Sequence, residues 1–300
     1  MDYGRPLAFG VSLVPEAARH AELLRVARLA DDLGLDAIGV QDHPYQPRFV
    51  ETWTLLTAIA MRTQRIAVFP DVINVRLRQA AVLAKAAATL DLLSGGRVEL
   101  GLGSGGFPEA VVALGGPALR TGQAIDALEE AMDVIRLMWS GRRGVRSDGR
   151  YHRLAGANTG PQPVHPVGLW LGAYQPRMLA LTGRLADGWI PSAFRMPPDQ
   201  LTVASRVVDE AALAAGRDPA AVRRLYNIGG RITTGASNGF LDGPPGQWVE
   251  TLAGLALEQG VDTFVFWAGT EDVDGQLRRF ALDVAPAVRE VVAGARATTK

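Results

Sequence analysis

The sequence predicts a (β/α)8 TIM barrel with rim insertions. Eight short apolar runs alternate with helical patterns from one end of the chain to the other, which implies a parallel sheet with helical crossovers. The stretch 84–106, AKAAATLDLLSGGRVELGLGSGG, reads as helix, tight turn, buried strand and glycine-rich loop in immediate succession. The length of 300 residues, 48% of them hydrophobic, suits one such barrel, which takes roughly 250 residues, plus insertions. An open doubly wound sheet is the alternative, and eight repeats favour the barrel.

The expected strands are Leu7–Leu13, Ala37–Gln41, Ile66–Pro70, Val98–Leu102, Val167–Gly172, Gly188–Pro191, Leu225–Ile232 and Thr263–Trp267. Helices fall near 17–33, 50–62, 78–93, 122–139, 175–185, 198–215, 246–259 and 273–293. Leu83, Ala87, Leu90 and Leu93 recur at helical spacing, and Ser94-Gly95-Gly96 ends that helix because glycine enters the left-handed region at little cost. Val98, Leu100 and Leu102 then alternate with Glu99, Gly101 and Gly103, and the glycines leave room for another group to approach the strand. Two stretches break the rhythm. Residues 140–166 begin like a small hairpin with a turn at Ser147-Asp148-Gly149 and end as a proline-rich connection, and Thr233–Pro245 is glycine-rich. Both are expected on the rim of a single domain spanning 1–300, the insertion lying around 140–166.

Thirty-one basic residues balance thirty-one acidic ones, so no excess charge points to a nucleic-acid partner. The chain has no cysteine, which excludes disulfides, thiolate nucleophiles and cysteine metal sites. His20, His152 and His165 are not spaced like metal ligands, so no metal is expected. The N-terminal MDYGRPLAFG does not read as a signal peptide and no apolar run reaches membrane-spanning length, so a cytoplasmic protein without a membrane partner is expected.

Polar residues at the C-terminal ends of barrel strands face the active-site mouth. The second strand ends in Asp42-His43-Pro44-Tyr45. His43 is suited to proton transfer near neutral pH, with Asp42 orienting it or binding a ring nitrogen; capping of the next helix by Asp42 is the plainer reading. Pro70-Asp71-Val72 ends the third strand, where a proline points to a bulge or a strand end. Gly103-Ser104-Gly105-Gly106 opens the loop after the fourth. After the fifth, Gly172-Ala173-Tyr174-Gln175-Pro176-Arg177 starts a helix with proline in its first turn, an arrangement suited to a phosphate. Trp53, Trp189 and Trp267 are candidates to line an apolar substrate pocket, with simple packing as the alternative. The serines lack a nucleophile-elbow context, and Gly101–Gly106 is not a complete dinucleotide fingerprint.

The run ATLDLLSGGRVELGLGSG within Ala80–Gly105, supported by Leu33-Gly34-Leu35-Asp36, Arg62-Thr63-Gln64-Arg65-Ile66 and Leu185-Ala186-Asp187-Gly188-Trp189, resembles the bacterial luciferase-like superfamily of flavin- and deazaflavin-dependent oxidoreductases. The resemblance covers nearly the whole chain and implies the same barrel, binding either FMN or coenzyme F420 at its C-terminal mouth. It implies a non-proline cis peptide in the bulge Pro70-Asp71-Val72, at Asp71–Val72, against which the cofactor ring rests, with Ser104, Gly105 and Gly106 nearby. Phosphate contacts map by similarity to Gly172, Ala173, Tyr174 and Gln175, with Arg177 beside them.

Asp42-His43 resembles the Asp-His pair of the deazaflavin-dependent members, which favours F420 over FMN and a hydride-transfer reaction with a small organic substrate, His43 serving as acid or base. Two departures speak against a sugar phosphate as that substrate: Ala180 stands where some such dehydrogenases carry lysine, and Gly106 where they carry an acid. The rival within the family is a monooxygenase using reduced FMN from a separate flavin reductase. A non-catalytic flavin-binding protein is a second rival. A cofactor-free aldolase is disfavoured because the only lysines are Lys85, within a helix, and Lys300. A homodimer is a common state among such proteins, and the apolar helices near 50–62 and 78–93 are its candidate interface.

Overall fold

The computed structural model describes residues 1–298; Lys300 lies outside the described residues. The thirteen strands among them are β1 Ala8–Leu13, β2 Ala37–Val40, β3 Ala67–Pro70, β4 Ile73–Asn74, β5 Leu100–Gly103, β6 Val145–Asp148, β7 Arg153–Ala157, β8 Leu169–Leu171, β9 Gly188–Trp189, β10 Arg223–Gly229, β11 Arg231–Ile232, β12 Asp242–Gly243 and β13 Thr263–Trp267. The helices are α1 His20–Asp32, α2 Thr52–Ala60, α3 Ala80–Ser94, α4 Pro108–Ala113, α5 Thr121–Met138, α6 Pro176–Leu185, α7 Pro198–Ala214, α8 Pro245–Gln259, α9 Val273–Arg279 and α10 Ala285–Thr298. Each of the eight expected strands has its counterpart in β1, β2, β3, β5, β8, β9, β10 and β13.

The chain divides into two compact units. One comprises Met1–Leu13, Ala21–Gly39 and the chain from Ala173 onward. In it β2, β1, β13, β10 and β9 are successive neighbours, and β13 pairs in parallel with both β1 and β10. Phe9, Phe264, Phe266, Phe280 and Trp248 fill its core, with the rings of Phe266 and Phe280 4.8 Å apart and tilted by 40°. Gly10 is required at the β1–β2 contact, since a Cβ there would lie 2.6 Å from the Ala37 carbonyl oxygen.

The other unit is Val14–His20 and Val40–Gly172. Here β8, β5 and β4 are parallel neighbours, and β3 joins through an isolated bridge between Val68 and Val98. Gly95 at φ 71 closes α3 as expected. The insertion forms the β6–β7 hairpin, but its turn lies at Gly149–His152 rather than at Ser147-Asp148-Gly149. The reason is Glu130 on α5, whose carboxylate accepts the backbone N–H groups of Arg150, Tyr151 and His152 at 2.7–2.9 Å and so fixes where the chain reverses.

Several boundaries differ from expectation. β10 starts at Arg223 because Arg224, 1% exposed, is neutralised in the interior by Asp209 at 2.6 Å. The helix expected over 273–293 is interrupted by a π-helical turn at Phe280–Val284. The short helix α4 was not anticipated; Phe107, at φ 57, starts it directly after the glycine loop. No helix among the described residues is long and apolar enough to cross a membrane.

Candidate active site

The residues expected to carry chemistry fall into two groups, one in each unit. The first is built around the end of β2. Asp42 is 3% exposed, and its carboxylate accepts the Asn74 N–H at 2.9 Å and a bidentate pair from Arg78 at 2.6 and 3.0 Å. Arg78 also donates to Glu51 at 2.5 Å. A buried carboxylate held this way is stable only because its charge and lone pairs are matched. Asp42 therefore does not orient His43, nor does it cap α2: the cap is Glu51, which accepts the Thr54 N–H at 2.7 Å.

His43 is oriented by Tyr45, whose hydroxyl lies 2.6 Å from Nδ1. The rings of Tyr45, Phe49 and Phe107 stand 5.5, 6.3 and 6.1 Å from the imidazole, the last edge-on. Burial depresses the His43 pKa below its usual 6.5, against an opposing pull from Asp42. Burial, with Asp42 adding to it, pushes the Tyr45 hydroxyl up to about 12. Both groups are thus neutral at pH 7. A phenol is the stronger acid and an imine nitrogen the stronger base, so the hydroxyl donates to Nδ1 and the ring proton sits on Nε2.

The bulge after β3 contains a non-proline cis peptide at Asp71–Val72, the bond the resemblance implied. The Asp71 N–H donates to the Val40 carbonyl at 2.7 Å, and β5 packs against the bulge. A Cβ on Gly101 would lie 2.1 Å from the Pro70 oxygen, and one on Gly103 would lie 2.8 Å from Val72 Cγ2. The alternating glycines of β5 thus exist to admit Pro70-Asp71-Val72. Gly105, at φ +88, turns the following loop over Asn74 and Arg76, beside Ser104, whereas Gly106 has open space around it. Phe107 is 62% exposed, an apolar ring at the edge of the His43 cluster.

The second group starts α6. The N-cap Gln175 makes no side-chain cap, and Pro176 occupies the first turn. The Gly172 N–H is engaged with the Leu102 carbonyl at 3.1 Å, which removes it from the expected phosphate donors and leaves Ala173, Tyr174, Gln175 and Arg177. The Arg195 guanidinium stacks on Tyr174 at 4.5 Å. Trp267 meets Phe194 edge-on at 5.3 Å and is half-buried. Trp189 is 1% exposed and donates its indole N–H to the Ala173 carbonyl at 2.9 Å, so it packs and braces this turn instead of lining a pocket. Trp53 stands against α3, in a groove of about 350 Å³ shared with Thr57, Val82 and Leu93. Tyr45, Asn74, Arg78, Phe107 and Arg195 were not singled out from the sequence. A strand-end Asp with arginines further along the chain is the one signal that could have found Arg78. Among the described residues no cluster of three or more His, Asp or Glu is placed to hold a metal.

The chain belongs to the luciferase-like monooxygenase family, whose model matches residues 6–229. It is 31% identical over 214 residues to a 5,10-methylenetetrahydromethanopterin reductase of Archaeoglobus fulgidus, covering 70% of this chain and 60% of that protein. It is 31% identical over 200 residues to an F420-dependent glucose-6-phosphate dehydrogenase of Nakamurella multipartita, covering 64% and 58%. The chain thus spans about three fifths of the length of these two relatives. Among solved structures it superposes on an F420-dependent secondary alcohol dehydrogenase in complex with an F420-acetone adduct, with TM-score 0.84 and 20% identity, over 95% of this chain and 99% of that one. The fold is a (β/α)8 barrel.

Proposed function

We propose that this chain is an oxidoreductase that uses the deazaflavin coenzyme F420 for hydride transfer to or from a small organic substrate. The observation that carries the reading is His43, with its pKa depressed by burial and Nδ1 engaged by Tyr45, in an aromatic cluster whose outer ring, Phe107, is exposed. The relatives that carry F420 in their names support the choice of cofactor.

The residues fit such a group. Gly101 and Gly103 admit the Pro70-Asp71-Val72 bulge, which would back a flat ring, with Ser104 and Gly105 beside it. Ala173, Tyr174, Gln175 and Arg177 would hold the phosphate through N–H groups at a helix start and a nearby guanidinium. A bound deazaflavin supplies a carbon that accepts or returns a hydride. Each hydride that moves to or from a substrate is accompanied by one proton, and His43 Nε2 gives or takes it. Asp42 acts one step removed, as a positioning residue that fixes Asn74 and Arg78. Phe107 would contribute apolar surface that excludes water beside His43. Ala180 and Gly106 argue for a substrate other than a sugar phosphate. A cytoplasmic location and a homodimer belong to the same reading, the latter read out by the mass of the protein in solution.

Titration of the purified protein with F420 and with FMN, followed by fluorescence, tests the reading. Tight binding of F420 alone supports it. Tight binding of FMN alone replaces it with a reduced-flavin monooxygenase served by a flavin reductase. Binding of neither overturns it.

A further inference from the structure

We propose that the unit containing α5 carries a second binding site, for a small organic carboxylate, in a cavity of about 460 Å³ between the turn after β4, the loop from α4 to α5 and the tip of the hairpin. None of its lining residues belongs to those assigned above to the cofactor, and the inference does not rest on that assignment.

The central observation is Arg76, which lines the cavity and is 8% exposed. Its Nη2 donates to the Pro117 carbonyl, and its Nε has no partner. Among the described residues no carboxylate within ion-pair distance balances it, in contrast to Arg78 two residues on, which has two. Burial alone is the influence on its acidity, and it disfavours the charged form. A buried guanidinium without a counter-charge is costly, and a bound anion removes that cost.

The wall beside Arg76 is fixed by Glu130, which accepts the Tyr151 backbone N–H at 2.7 Å. Arg150 stacks over the Tyr151 ring at 5.4 Å and adds a positive charge near the opening. The remaining walls include Leu114 and Leu119. One buried guanidinium matches one carboxylate. The volume decides against a bare inorganic anion, which would fill little of it, and the apolar walls call for a hydrocarbon or aromatic body on the carboxylate.

The probe is 4-bromobenzoate, with inorganic phosphate as the competing anion, added to the full chain. Calorimetry is expected to show 4-bromobenzoate binding that phosphate at equal concentration does not displace, and crystals grown with it are expected to show the bromine within this cavity. Arg76→Gln is expected to weaken binding about 10-fold or more. Absence of bromine from the cavity, affinity unchanged in Arg76→Gln, or phosphate binding where bromobenzoate does not, each overturns the proposal.

Discussion

The hydroxyl of Tyr45 and Nδ1 of His43 are 2.6 Å apart, two residues from each other in the chain, and that pairing decides which imidazole nitrogen is left for chemistry. A hydrogen bond to the neutral ring favours the neutral form. In Tyr45→Phe the His43 titration, followed by NMR, is expected to move up from its depressed wild-type midpoint, and turnover to fall about 10-fold as the ring loses its fixed orientation. His43→Ala is expected to lose about 100-fold or more in turnover with F420 binding retained.

The depressed His43 also predicts a pH dependence of stability. The folded pKa lies below 6.5, so the unfolded chain takes up the proton first as pH falls. Stability is therefore complete above pH 6.5, declines between 6.5 and the folded value, and levels off below it. His43→Gln is expected to flatten this window in urea titrations run at successive pH values.

Asp42 and Arg78 form a pair whose carboxylate is fully buried. Asp42→Ala leaves the Arg78 guanidinium with Glu51 alone and the buried Asn74 N–H without its acceptor, and is expected to cost about 1–3 kcal/mol in chemical unfolding. Adding Arg78→Met should recover part of that loss, which an interaction limited to the Asn74 N–H would not allow.

Gly101 and Gly106 belong to one glycine-rich run and have opposite tolerances. Gly101→Ala places a methyl carbon 2.1 Å from the Pro70 oxygen and is expected to reach or exceed the upper end of the about 1–3 kcal/mol usual for overpacking. Gly106→Ala meets nothing within 4 Å and should stay within about 0.5 kcal/mol of the parent. Thermal unfolding of the two variants side by side checks this.

Glu130 holds the hairpin tip through three backbone amides. Glu130→Ala is expected to cost about 1–3 kcal/mol and to speed hydrogen exchange at residues 150–152 while leaving β1 and β13 protected.

Much of the architecture was legible because buried strands announce themselves as short apolar runs, and α3 ends on Gly95 for a local reason. The start of β10 was hidden because Arg223 and Arg224 read as loop; only the distant Asp209 and Asp262 make an arginine acceptable there. The break at Phe280–Val284 left no mark in an apolar pattern that continues across it. At the site, Asp42, His43 and the Asp71–Val72 bond stood out by position or resemblance. The partners of Asp42 did not, since Asn74 and Arg78 lie 32 and 36 residues away and meet it only in the folded barrel. For Trp189 the sequence left pocket wall and simple packing open, and the structure gives it a packing role as a brace for Ala173.

Glu130 grips main-chain amides, a chemistry every residue but proline offers alike. The hairpin can therefore exchange the side chains at positions 150–152 without letting go of α5. Those same side chains wall the cavity that contains Arg76. Three adjacent codons can thus redraw that wall while the core and the His43 cluster keep their sequence.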